Sequence, residues 1–316
     1  MLSISIGSFS HFMSYFEGGL FGNHPPQFPP VFIIGLPRSG TTLIYQTLCH
    51  CFQFAFTPML TNYMVWLPSL SARLCRNGQL RYASDFKSNY GVSKGLASPG
   101  EGGMWNLWFS KNRYYREVNT LGGKKAADII RFVGRTERIF NAPFLNKNLR
   151  NNNRIRPLAD LFPRALFIVV LRNPRDVALS LLRARVNIYG DVNRFYSIKP
   201  SSYAPSPDRS PEKSVVDQMS GLVQDLWEAM VAVGVNRFLV IRYEAFCASP
   251  SAGIQRIHDR ISDRGVALEK RHPPPDAFKP SKGLADGLRP EQIETVDALI
   301  EKEFDGDTYH RLISQR

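Results

Sequence analysis

An α/β fold in three layers, a central parallel sheet flanked by helices, is what this chain of 316 residues predicts. Three observations carry the expectation. Val31-Phe-Ile-Ile34 is a short apolar run that passes through a glycine-bounded loop into Thr41–Leu48, a helix-like stretch. Ala165–Leu171 is apolar throughout, as expected for a strand covered on both faces. Strand-like and helix-like stretches alternate along the chain, which argues for parallel strands joined by helical crossovers. No internal repeat is present. An apolar content of 43% suits one large domain spanning 1–316.

Residues 1–30 are rich in Gly, Ser and aromatic residues and read as an irregular arm, ending in the stiff lead-in His24-Pro-Pro-Gln-Phe-Pro-Pro30. The first strand follows, then the loop Gly35-Leu-Pro-Arg38-Ser39-Gly40-Thr41-Thr42. Strand, tight loop and helix N-terminus together make an anion cradle, because loop N–H groups and the positive end of the helix dipole converge. The glycine spacing is that of a nucleotide P-loop, G-x-x-x-x-G-K-[ST], but Thr41 stands in the lysine position. The cation lies within the loop, as Arg38. No convincing carboxylate for Mg²⁺ follows an apolar strand, so the loop suits a phosphate-like group other than the γ-phosphate of ATP.

Residues 52–70, with Phe52, Phe54, Phe56, Tyr63 and Trp66 interrupted by Pro58 and Pro68, read as a helix and loop lining an apolar pocket. In Ser98-Pro-Gly-Glu101-Gly-Gly-Met-Trp105, a lone carboxylate sits among glycines that permit close approach to a ligand, a setting suited to acid/base work. A helix is expected over 124–140. A short strand over 142–148 then ends at Lys147, where parallel sheets place ligand contacts, and a helix follows through Leu158 to Phe162. The strand 165–171 runs into Arg172-Asn-Pro-Arg-Asp176-Val-Ala-Leu-Ser180, in which Pro174 and Asp176 open a helix. Arg172 and Ser180 can hold a phosphate from two sides. Residues 186–214 form the longest irregular stretch, a lid or substrate loop. A helix over 215–233, a strand over 237–244, a helix capped by Ser249-Pro250 and running to about Ile261, and a final helix near 290–304 complete the reading.

Net charge is +13 and uneven. Residues 101–200 hold nineteen Lys/Arg against seven acids, whereas 201–316 hold fifteen against eighteen. A field centred on the middle third suits a small polyanion or nucleic acid. Cys49, Cys51, Cys75 and Cys247 show neither a C-x-x-C pair nor zinc spacing, which suits a reduced, cytoplasmic protein. No signal peptide or membrane helix is expected.

Three of these stretches together resemble the sulfotransferases that use 3′-phosphoadenosine-5′-phosphosulfate (PAPS). Gly35-Leu-Pro-Arg-Ser-Gly-Thr-Thr42 is similar to the family's 5′-phosphosulfate loop. Phe167–Ser180, a strand ending in Arg172 with Ser180 eight residues on, is similar to its 3′-phosphate motif. Val240-Ile-Arg-Tyr243-Glu-Ala-Phe with Ser249-Pro250 resembles the strand and helix that close the nucleotide side. Lys147 occupies the place of the family's strand-end lysine. The resemblance implies a P-loop nucleotide-kinase-like sheet and in-line transfer of a sulfo group from PAPS to a hydroxyl or amine of a small-molecule acceptor, with no metal required. It also implies the roles. Arg38 and the backbone of Ser39, Gly40, Thr41 and Thr42 would meet the 5′-phosphate and leaving oxygen, Lys147 the sulfo group, and Arg172 and Ser180 the 3′-phosphate. Tyr243 and Lys282 would complete the nucleotide side. The family takes the acceptor proton with His or Glu. Here Asn148 follows Lys147 where many members carry His, so Glu101 is the first candidate, with His50 and His24 as alternatives. The rival readings are a P-loop kinase or NTPase, which Thr41 opposes, and a nucleic-acid-binding protein. The aromatic residues permit a natural product, lipid or glycolipid as acceptor.

Overall fold

The computed structural model describes residues 6–76, 83–109, 121, 123–206, 208–280 and 287–315. Its centre is a sheet of four parallel strands in the order β2-β1-β3-β4, made of β1 (Val31–Gly35), β2 (Leu145–Lys147), β3 (Leu166–Leu171) and β4 (Phe238–Arg242). β1 and β3 are the inner strands, and all of their residues are buried, which is why both read as unbroken apolar runs. Register aligns the strands' carboxyl ends. Ile33 pairs with Lys147, Gly35 with Val170 and Leu171 with Arg242. Every chain exit that the sequence marked as a ligand contact therefore opens on one edge of the sheet.

Helices flank the sheet and share one cluster of buried apolar residues with it. α2 (Thr41–Cys51) follows the loop after β1, and α5 (Gly123–Phe140), α6 (Ile155–Leu161) and α10 (Pro250–Ser262) lie where periodicity places them. α7 (Pro174–Tyr189) begins as expected. Asn173 caps it, its side chain accepting from the Arg175 and Asp176 amides at 2.9 and 3.4 Å. α8 (Pro211–Val233), α9 (Tyr243–Ala248), α11 (Pro290–Glu303) and α12 (Gly306–Ile313) complete the second half.

Residues 1–30 depart from expectation. Instead of an irregular arm, Ile6–Phe21 forms α1. The cause is remote. Glu17 is fully buried and caps α3 (Pro68–Arg76), accepting from the Ser69 and Leu70 amides at 2.7 and 3.0 Å. Arg135 of α5 lies 3.7 Å from the same carboxylate and donates to the Ser14 carbonyl at 2.8 Å. Burial pushes the Glu17 carboxyl up and these donors pull it back. Tertiary bonding of this kind makes a helix from a segment of modest propensity.

Residues 52–76 also differ. Phe54 and Phe56 enter the core and Tyr63 turns to solvent, so the aromatic run does not line one pocket. Pro68 opens α3, where a missing N–H costs nothing. Trp105 and Trp108, on the short helix α4 (Trp105–Trp108), are buried against Phe132 rather than displayed beside Glu101.

The irregular stretch is shorter than 186–214, because α7 continues to Tyr189 and α8 starts at Pro211 under a Ser210 cap. It is also fastened. Gln218 of α8 donates to the Tyr196 and Ile198 carbonyls at 2.9 and 2.8 Å, and Asp225 accepts from the Ser201 amide at 2.7 Å.

Candidate active site

The loop between β1 and α2 closes around two forced backbone positions. Gly35 has φ 148°, and a Cβ there would lie 2.4 Å from the Val170 carbonyl oxygen. Gly40 has φ 95° and the Tyr243 ring packs against it, 2.2 Å from where a Cβ would stand. Both glycines are thus required by close approach. Arg38 itself adopts φ 68°, which turns its side chain out of the loop. The first N–H groups of α2 have no acceptor within the helix, and Gly40, Thr41, Thr42 and Leu43 line a cavity there.

That cavity, of about 330 Å³, lies at the carboxyl end of the sheet. Among its walls are Arg38, Gly40, Thr41, Thr42, Lys147, Arg172 and Tyr243, all expected from sequence. Arg172 is 4% exposed. It donates to the Arg38 carbonyl at 3.1 Å, lies 3.5 Å from the Asp176 carboxylate, and sets its guanidinium 4.7 Å over the Tyr243 ring. Tyr309 of α12 donates to the Arg172 carbonyl at 2.7 Å, so the last helix braces the end of β3. Arg38 donates through Nε to Ser180 Oγ at 3.0 Å, which brings the two phosphate motifs into contact. Burial pushes the Arg38 guanidinium down, and the neighbouring Tyr196 and Tyr90 oppose that shift.

Lys147 is 2% exposed and its ammonium donates to Glu101 Oε1 in a short ion pair. The Glu101 side chain is 44% exposed, so the pair has one buried and one open member. Ser39 stands behind the wall. Its amide donates to the Leu36 carbonyl at 3.2 Å, and its buried hydroxyl has no hydrogen-bond partner. Of the loop residues that the sequence assigned, Arg38, Gly40, Thr41 and Thr42 line the cavity and Ser39 does not. Lys282 lies outside the described residues. His50 is set apart from the cavity, stacked 4.9 Å from His272 and edge-on to Phe86, where burial and His272 push its pKa down. His24 lines a different cavity with Glu137, at the opposite end of the sheet.

Sequence reasoning missed the segment 84–92, which curls over the phosphate loop. Phe86 and Tyr90 both have positive φ, at 55° and 48°, and both line the cavity. Tyr90 lies 4.9 Å under the Arg38 guanidinium, and Thr42 Oγ1 donates to the Gly91 carbonyl at 3.4 Å. No periodic pattern marks such a segment. Tyr196 from the 190–210 loop is a further missed wall. Arg154, which immediately precedes α6, is buried with its guanidinium 4.5 Å over Phe109, and burial pushes its pKa down to about 9.

Strand, phosphate loop and helix N-terminus at the carboxyl end of a parallel sheet define a P-loop-like α/β protein. Residues 29–262 match the model of the sulfotransferase family, and the chain belongs to that family. Over 256 residues it is 23% identical to the omega-hydroxy-beta-dihydromenaquinone-9 sulfotransferases Stf3 of Mycobacterium bovis and Mycobacterium tuberculosis, covering 74% of this chain. The match spans 62% of the length of those relatives. Among solved structures, sulfotransferase STF9 from Mycobacterium avium has a similar fold, with a TM-score of 0.55, 16% identity, and coverage of 95% of this chain and 84% of that one.

Proposed function

We propose that this chain moves the sulfo group of PAPS to a hydroxyl or amine of a small-molecule acceptor and releases 3′-phosphoadenosine-5′-phosphate. The observation that carries the reading is the convergence on one cavity of the first N–H groups of α2, of Arg172 and of Lys147, with Glu101 paired to Lys147. The residues fit a nucleotide bearing two separated anionic groups. Helix N-terminal donors and Arg38 hold the 5′-phosphate. Arg172, with Ser180 brought in through Arg38, holds the 3′-phosphate.

Lys147 is fixed at the strand end, where preorganised charge stabilises what develops on the sulfo oxygens and the bridging oxygen. Glu101 takes the acceptor proton through the carboxylate oxygen that does not face Lys147, and its exposure lets the acceptor reach it. The reading assigns no metal, since Thr41 replaces the P-loop lysine and side-chain cations meet the charge. The Stf3 relatives act on a menaquinone, which supports an apolar acceptor bearing a hydroxyl, whether natural product, lipid or glycolipid. The described cysteines are free, which supports a reducing, cytoplasmic setting. Among the described residues no helix is long and apolar enough to cross a membrane.

Thermal unfolding with 3′-phosphoadenosine-5′-phosphate, with ATP plus Mg²⁺ and with AMP tests the reading, because a ligand of the folded state raises the midpoint. The expected result is a shift with the bisphosphate alone, followed by sulfo transfer from labelled PAPS in an acceptor screen. A shift only with ATP and Mg²⁺ returns the chain to phosphoryl transfer. No shift with any nucleotide, together with salt-dependent binding of DNA or RNA, would replace the reading with a nucleic-acid function.

A further inference from the structure

The stretch Leu145-Asn146-Lys147-Asn148-Leu-Arg-Asn151-Asn152-Asn153-Arg154 carries five asparagines, and the roles proposed above use none of them. Together they reach the phosphate loop, the Glu101 backbone and the 190–210 loop. Asn152, 5% exposed, grips both faces of one peptide position. Its Oδ1 accepts from the Gly35 amide at 3.1 Å, and its Nδ2 donates to the Gly35 carbonyl at 2.9 Å and to the Leu149 carbonyl at 2.6 Å. Asn146 and Asn148 both donate to the Glu101 carbonyl at 3.3 Å. Asn151 donates to Asn146 Oδ1 at 3.1 Å, and Arg154 donates to Asn151 Oδ1 at 3.4 Å. Asn153 donates to the Lys199 carbonyl at 3.2 Å, in the 190–210 loop.

Resting on the sulfotransferase reading, we propose that this asparagine turn is the positioning device of the site, with separate duties for its members. Asn152 sets the phosphate loop, and the pair Asn146 and Asn148 sets the Glu101 loop against Lys147. An amide suits the work because one side chain both donates and accepts, so it fixes a backbone N–H and C=O together. Gly35 is where the phosphate loop leaves β1, and its φ of 148° and contact with Val170 leave the backbone no side chain by which to be held. Asn152 supplies that hold from outside. It also ties the loop to Leu149, two residues past Lys147, so the leaving-group cradle and the lysine keep one spacing. The Glu101 side chain is half open, and its own backbone carbonyl is the anchor that orients it.

The duties separate in experiment. Wild-type protein is first shown to bind 3′-phosphoadenosine-5′-phosphate; failure there overturns the sulfotransferase reading and this proposal with it, whereas binding by the wild type lets the variants test the proposal alone. Asn152→Leu, close in size but without hydrogen bonds, is expected to weaken bisphosphate binding about 10- to 100-fold by calorimetry while circular dichroism stays native. Asn152→Ser answers the same question if the leucine variant fails to fold. Asn146→Ala with Asn148→Ala is expected to leave the bisphosphate Kd within about twofold and to lower kcat about tenfold, with the acid limb of the pH–rate profile displaced. A merely structural turn would lower the unliganded melting midpoint and bisphosphate binding together in all these variants. That outcome, or Asn152 variants that bind within about twofold of wild type, overturns the proposal.

Discussion

Two cavities lie at opposite ends of β1, and each holds a carboxylate beside its wall. At the carboxyl end, Glu101 meets the Lys147 ammonium and its side chain is 44% exposed. At the amino end, in a cavity of about 230 Å³, Glu137 is 3% exposed and accepts from the Gln27 and Phe28 amides at 2.8 and 3.4 Å. The first carboxylate is engaged by a side-chain cation and open to a partner. The second is engaged by backbone amides and closed. Burial raises the Glu137 carboxyl to about 7, as expected where a charge is removed from water without a cation near enough to offset the loss. The difference teaches that burial alone does not mark a reactive group. The more deeply buried acid here fastens the lead-in to β1 against α5.

Substitutions can break this contrast. Glu101→Gln keeps the shape and removes the proton acceptor, so kcat should fall roughly 1,000-fold while bisphosphate affinity changes little. Steady-state kinetics beside calorimetry checks it, and unaltered turnover would transfer the proton-accepting role elsewhere. Next in size, Arg172→Ala should weaken the bisphosphate about 100-fold but its 3′-dephosphorylated analogue only slightly, since charge-assisted bonds to the 3′-group are what is lost. Equal losses for both ligands would remove the 3′-phosphate role.

The smallest effect belongs to Glu137 and concerns stability. With its folded pKa raised from 4.5 to about 7, the folded state holds a proton that the unfolded state has released between those values. Stability from this group is therefore complete below about pH 4.5, falls as pH rises from there through about 7, and is level above that, for about 3 kcal/mol in all. Glu137→Gln should flatten that slope in melting curves taken from pH 5 to 8 and leave the kinetics unchanged.

The cavity at the carboxyl end of the sheet was legible because its signals are local. A buried strand shows as an apolar run, and the residue that leaves its carboxyl end is a cavity wall by topology. Thus Lys147, Arg172 and the loop from Gly35 to Thr42 could be placed from sequence, and the parallel sheet with them. What escaped depends on distant partners. α1 exists through bonds from Ser69 and Arg135, which lie 52 and 121 residues from their acceptors. Phe86 and Tyr90 reach the cavity through positive φ values at residues that disfavour them, a feature no hydrophobic pattern encodes. Phe54 and Phe56 are read as lining a pocket because their composition suits a pocket and a core equally; only burial separates the two.

The contact between Gly40 and Tyr243 has a consequence for divergence within the family. A side chain at position 40 and a ring at position 243 compete for the same volume, since the nearest ring carbon stands 2.2 Å from the place of a Cβ. A descendant that gains a side chain at position 40 must first surrender the ring at 243, and with it the face on which Arg172 rests. The two positions are expected to change together or not at all across related chains, and their joint identity would tell which descendants keep the same cavity wall.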